Sequence, residues 1–244
     1  MGRDQIISFL NHQRSTYNSD LFPMIETKTF DNNDEDSSYH NNIIALNQIN
    51  DVIDDILFKL NISMKQQRNH HDNRNMFQLR RAYCNDDAGS ILNLVNGLAT
   101  YEKALDEVHV NESIYKADGG GDNPLFHCII LESREDNHQS KGQVTGMAFF
   151  YFGYSLQNRG RFLYLEDLFI QEKYRGNGFG KAFMYALAKI SNSLDCERFV
   201  WQALDWNSPA LNFYAGIGAE ICQDLITLRF DKDRILASTT SNRK

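Results

Sequence analysis

Glu166 and Asp167 stand side by side in the apolar run Phe162-Leu163-Tyr164-Leu165-Glu166-Asp167-Leu168-Phe169-Ile170. Charge in so apolar a run needs a reason, because carboxylates are almost never buried without a partner. A carboxylate held there can take a proton from a bound group, directly or through one water. The same run leads into Arg175-Gly176-Asn177-Gly178-Phe179-Gly180. Lys181 to Ser193 then reads as a helix with Ala182, Phe183, Tyr185, Ala186, Leu187 and Ile190 on its apolar side. A strand, a glycine turn and a helix start make an anion cradle. Backbone N–H groups without intrahelical partners converge there, the helix dipole adds partial positive charge, and glycines let a phosphate approach the backbone. A phosphorylated ligand is the first inference.

The spacing of the glycines narrows that ligand. A dinucleotide fingerprint needs Gly-x-Gly-x-x-Gly, whereas Gly176, Gly178 and Gly180 are two apart. A nucleotide-triphosphate loop ends in Gly-Lys-Ser/Thr, and Gly180-Lys181-Ala182 lacks the metal-binding hydroxyl. Further on, Phe199 to Leu204 reads as another strand, followed by Asn207-Ser208-Pro209-Ala210-Leu211-Asn212-Phe213-Tyr214 and Gly216-Ile217-Gly218. Ser208 can cap a helix whose first position is Pro209, where the missing N–H costs nothing, and Gly216 or Gly218 can end it.

Arg175-x-x-Gly178-x-Gly180 resembles the pyrophosphate loop of the GNAT acyltransferases, which bind acetyl-coenzyme A. The second segment resembles their other signature, an Asn before a short helix that presents a Tyr. Within that superfamily, Tyr164-Leu165-Glu166-Asp167-Leu168-Phe169, Trp206-Asn207-x-Pro209, Asn212-Phe213-Tyr214 and Leu98-Ala99-Thr100-Tyr101-Glu102 resemble the spermidine/spermine (diamine) acetyltransferases, as do Phe126-His127-Cys128 and Gly146 to Phe152. The likeness runs from about Met76 to Ala237.

This resemblance implies an α+β GNAT acyltransferase fold, a mixed central sheet flanked by helices. It implies acetyl-CoA as co-substrate with no metal, a small amine as substrate and a homodimer. An alkylamine is protonated at neutral pH, so a proton must be removed before its nitrogen can attack a thioester. Glu166 is the expected base or water-activating acid, and Tyr214 the expected proton donor to the leaving thiolate. Adjacent residues of a regular strand face opposite sides, so Asp167 can serve beside Glu166 only if the strand is locally irregular. By the same resemblance, backbone groups of Leu168, Phe169 and Ile170 meet the pantetheine arm. Arg175, Gly176, Asn177, Gly178, Phe179, Gly180 and Lys181 meet the pyrophosphate, and Asn207, Ala210 and Tyr214 lie near the thioester. Tyr101 and Glu102 are assigned, with Glu166 and Asp167, to the amine channel.

Two departures bear on the substrate. The stretch Ala219 to Ile226 is shorter and less acidic than its counterpart in those enzymes, and Ser208 stands where they often carry Glu. Both weaken a preference for extended polycations. A thialysine-like amino acid, a diamine or an arylalkylamine stays open, as does a catalytically weak acyl-CoA-binding module.

A chain of 244 residues exceeds one such domain. The expected division is an Asn/Asp-rich extension over 1–75, the catalytic domain over 76–237 and a polar tail over 238–244. A net charge of −7 argues against a nucleic-acid partner and suits a cationic substrate. Cys84, Cys128, Cys196 and Cys222 lack metal or redox spacing and read as reduced thiols. No apolar run approaches a membrane span, so the expected location is cytoplasmic, with no membrane partner.

In the extension, Ile43, Ile44, Leu46, Ile49, Val52, Ile53, Ile56, Leu57 and Leu60 fall near a helical period, which predicts an amphipathic helix from about Asn42 to Asn61. Acidic Asp31 to Asp36 before it reads as solvated, and His70-His71 after it as linker. In the domain, strands are expected at Phe77–Tyr83, Leu125–Glu132, Val144–Tyr154, Phe162–Ile170, Phe199–Leu204 and Leu225–Phe230. Helices are expected from Asp86 or Asp87 to Glu102, near Asn111 to Tyr115, and at the two glycine- and proline-marked starts. Asp118 to Gly121 reads as flexible.

Overall fold

The structure is a computed structural model that describes residues 46–66, 76–121, 124–134, 142–157 and 160–240. Helix α1 spans Leu46–Gln66, strand β1 Met76–Arg81, α2 Cys84–Glu102, α3 Glu112–Gly119, β2 His127–Arg134, β3 Gln143–Ser155, β4 Gly160–Ile170, α4 Phe179–Ser193 and β5 Cys196–Trp201. These elements belong to one unit, within residues 29–202. Helices α5, Ser208–Gly216, and α6, Lys232–Thr240, belong to a second. The expected start at Asn42, the acidic stretch and His70-His71 lie outside the described residues.

The five strands form one sheet in the order β1-β2-β3-β4-β5. β1 to β4 run antiparallel, and β5 joins β4 in parallel, which requires the crossover that α4 supplies. On one face Ile91 and Leu94 of α2 pack with Tyr115, Cys128, Ile130, Met147 and Phe169. Strand residues of the other parity, Ile129, Ala148, Phe150 and Leu163, are also buried completely. Helices α1 and α4 pack against each other, with Ile53, Phe183, Leu187 and Ile190 fully buried. A sheet covered on both sides follows from the near-continuous apolar runs of β2 to β4.

The first helix is tied to the sheet edge. The Asn61 amide donates to the Leu79 carbonyl at 2.7 Å, and the Leu79 N–H donates to Asn61 Oδ1 at 3.0 Å. Arg81 meets Asp54 of the same helix at 3.0 Å. Behind β1, the Arg80 guanidinium donates to both oxygens of buried Asp87 and to Glu132. These hydrogen bonds hold its proton well above the usual arginine range. The triad fixes the start of α2 against the sheet.

Four expectations change. Asp118 and Gly119 belong to α3, which is capped by Asn111 through the Ile114 N–H at 3.0 Å, and the Gly119 carbonyl accepts from Cys84 Sγ. α5 is capped by Asn207, whose side chain accepts from the Ala210 N–H at 3.3 Å, and Ser208 is the first helical residue instead of the cap. Leu225–Phe230 forms no strand: all six residues are exposed, and none of them joins the sheet ladder of the described strands. A strand exists by its ladder, and two adjacent apolar residues such as Leu225-Ile226 do not supply one. Residues 238–240 of the expected polar tail are part of α6, which Asp231 caps through the Arg234 N–H at 2.9 Å; 241–244 lie outside the described residues.

Candidate functional site

The register of β4 sets the site. Phe149 lies opposite Asp167, and Phe150 opposite Leu165, so Glu166 is an inserted residue with no partner on β3. The parallel ladder to β5 ends at Leu165. An antiparallel pair shares one face, and successive residues alternate, so Asp167 joins Phe149 on the α2 side while Leu165 joins Phe150 on the other. Bulges bend and re-aim the strand that carries them. Both carboxylates therefore line one cavity of about 300 Å³. This is the irregularity on which the joint use of Glu166 and Asp167 depends.

Around that pair the groups are acidic and aromatic. Burial raises the Asp167 carboxyl to about 6, and the neighbouring Glu166 and Glu102 carboxylates add to the shift. Burial also raises Glu102. Tyr151 and Tyr164 face each other across the β3–β4 ladder with ring centroids 5.1 Å apart. Burial, then the Glu166 charge, raises both hydroxyls. A cation entering here would meet carboxylates and ring faces together, which relieves the crowding of negative charge. Neither tyrosine was singled out from the sequence. Their signal is the alternation Phe149, Tyr151 on β3, legible only once its partner strand is known.

At the C-terminal end of β4 the chain turns through Glu172–Tyr174, one turn of 3-10 helix, into the glycine loop. Gly176 and Gly178 have φ of 79° and 81°, values that side chains disfavour, and an added Cβ at either would meet nothing within 4 Å. The loop is braced from within. Asn177 donates to the carbonyls of Tyr174 and Arg175, and buried Phe179 packs on Phe77 at 4.6 Å. Gly178 precedes α4, whose first N–H groups open onto this space. Arg175 and Lys181 are exposed beside it. The open cradle, the helix start and two cations fit a pyrophosphate.

Arg175 does not extend away from the strand. Its Nε donates to the Ile170 carbonyl at 2.9 Å, and its guanidinium lies 5.0 Å from the Tyr101 ring and 5.6 Å from the Phe169 ring. Tyr101 thus sits with the loop, not among the cavity residues, while Glu102 acts on Asp167. Gly97 allows this approach of α2, since a Cβ there would stand 3.0 Å from the Phe169 ring. Leu168 and Ile170 are partly exposed, and Phe169 is buried beneath the loop. Among the described residues no group of three or more His, Cys, Asp or Glu is arranged to hold a metal ion.

In the second unit, Asn207 and Ala210 form the cap of α5, and Tyr214 lies on that helix beside Phe213, with ring centroids 5.2 Å apart. Burial pushes the Tyr214 hydroxyl up to about 12, so it keeps its proton at neutral pH.

The sequence pattern of the acetyltransferase (GNAT) family matches residues 96–219, from the middle of α2 to just past α5. The chain belongs to that family. It is 36% identical over 135 residues to the thialysine N-epsilon-acetyltransferase of Bos taurus, covering 55% of this chain and 79% of that one. It is 34% identical over 143 residues to the human spermidine/spermine N(1)-acetyltransferase-like protein 1, covering 59% of this chain and 20% of that one. In fold it resembles an integron cassette protein from V. cholerae, with a TM-score of 0.55 at 21% identity, covering 68% of this chain and 98% of that one. The GNAT fold and an acetyltransferase activity are thereby established for this chain.

Proposed function

We propose that this acetyltransferase moves the acetyl group of acetyl-CoA to a primary amine of a small molecule, in the range of the polyamines, diamines, thialysine-like amino acids and arylalkylamines. The observation that carries the reading is the bulge that turns Glu166 and Asp167 into one cavity. Relatives named for thialysine, spermidine/spermine and ornithine support it, because their substrates share an aliphatic chain ending in an ammonium.

In this reading Asp167, Glu102 and the Tyr151–Tyr164 pair attract and orient the ammonium. Glu166, exposed at the bulge, takes one proton from it, directly or through a water, and frees the nitrogen lone pair. Bound acetyl-CoA supplies the activated acetyl group. Backbone groups of Leu168 to Ile170 would hold its pantetheine arm, and Arg175 to Lys181 its pyrophosphate. Tyr214, assigned by family resemblance, donates a hydrogen bond to the leaving sulfur. A phenol held at about 12 does not readily surrender its proton to a thiolate whose acid has a pKa of about 8.5, so stabilisation by the hydrogen bond outweighs full transfer. A cytoplasmic homodimer completes the proposal, supported by the resemblance and by four free cysteines.

Glu166→Gln tests it. Free thiol release should fall, and the residual rate should climb toward alkaline pH as more free amine becomes available. A pH profile of the parent's shape would remove Glu166 as the base.

A further inference from the structure

The cavity is acidic at one point, and the rest of its lining is aromatic and aliphatic. Glu166 and Asp167 are its charged lining residues among those described, and they are adjacent in sequence. Opposite them three rings close on one another: Tyr115 to Phe126 at 5.3 Å, Phe126 to Phe149 at 5.0 Å and Tyr115 to Phe149 at 5.8 Å. Leu92 and Val95 of α2 extend the wall, and Val110 and Leu125, both exposed, carry the apolar surface out to the rim.

We infer that this cavity selects a primary amine with a single positive charge and an apolar, arylalkyl-sized tail, in preference to a polycation or an amino acid. The inference rests on the proposed acetyl transfer at Glu166 and narrows its substrate. An ammonium at the carboxylates leaves the remainder of the molecule against rings and aliphatic side chains. A second ammonium along a polyamine would meet that wall with no further carboxylate among the cavity's lining residues to pair with, and ring faces alone repay less of its desolvation than an ion pair does. The carboxylate of an amino acid would meet either the same apolar wall or two like charges. An aromatic tail instead meets three ring edges and faces in the offset and tilted arrangements that aromatic groups favour.

The experiment compares 2-phenylethylamine, putrescine, spermidine and thialysine with the full chain. Binding without acetyl-CoA is read by calorimetry, and kcat/KM by free thiol release. The expected result is tighter binding of 2-phenylethylamine and a kcat/KM about 10- to 100-fold above the other three, the scale on which an apolar pocket discriminates. Leu92→Glu, at a partly exposed helical position, should lower that preference and raise turnover of putrescine, with circular dichroism unchanged. Tighter binding or faster turnover of putrescine, spermidine or thialysine by the parent would overturn the inference, as would no binding by any of the four. Preferred binding of 2-phenylethylamine with no thiol released under any condition would leave the cavity assignment standing and refute acetyl transfer to amines.

Discussion

Asn61 completes the edge of the sheet at Leu79, accepting from its N–H and donating to its carbonyl as a neighbouring strand would. Among the described residues β1 is the outer strand, so these two groups have no described ladder to join on that side, and Leu79 itself is fully buried. A helix preceding the family match therefore does part of the work of a sixth strand.

Replacing that amide should be costly. Asn61→Leu leaves a donor and an acceptor unsatisfied, each worth about 1 to 3 kcal/mol when buried. For a domain of this size the expected fall in melting temperature is roughly 5 to 10 °C. A melting curve identical to the parent's would show that water replaces the amide without loss.

Asp167 carries a pH signature. Its carboxyl binds a proton more tightly in the folded chain, with a pKa of about 6, than in the unfolded chain, near 3.8. The folded state then holds more protons between those values, so stability falls as pH rises from about 4 to about 6 and stays lowered above. Asp167→Asn should be stabilising at pH 8, by an amount on the order of 2 kcal/mol, and close to neutral at pH 4. Melting curves at the two pH values read the difference, and an equal shift at both would contradict it.

Tyr214→Phe removes one hydroxyl and keeps the ring beside Phe213. Turnover should drop by roughly 10- to 1000-fold while acetyl-CoA binding holds, the range for one lost hydrogen-bonding acid. Unchanged turnover would remove Tyr214 from the chemistry.

Gly178→Val should weaken acetyl-CoA binding, because the side chain would occupy the open space beside the helix start. With φ at 81° it also strains the backbone, so some loss of melting temperature is expected as well. Gly216→Val, at a helical glycine whose added Cβ meets nothing, is the control. Equal coenzyme affinity for parent and Gly178→Val would refute the cradle.

What could be read in advance followed from periodicity and punctuation. The apolar runs of β2 to β4, the glycines before α4 and Pro209 in α5 mark their elements by local chemistry alone. The carboxylate pair was readable as an anomaly, but its geometry depends on where β3 places one register shift, which no residue of β4 announces. The aromatic wall was not readable, because Tyr115, Phe126 and Phe149 come from separate elements that only the packing of α2 and α3 brings together. The strand expected at Leu225–Phe230 failed for a related reason: hydrophobicity suggested a ladder that the described strands do not form with it. The cap Asp231 would have signalled α6, had its polar sequence been weighed as a helix.

Glu166 has a rare freedom. It lies on a core strand, yet it has no partner on either neighbouring strand, so the ladder is indifferent to which side chain stands there. Its exposure means that the core is equally indifferent. In the proposed mechanism the residue that meets the substrate is thus one that folding constrains little. A lineage could change the acid, its length or its charge there and explore new acceptors without first repairing the sheet, whereas the same change one position to either side would have to be answered by Leu165's buried neighbours or by the pair that Asp167 forms with Phe149.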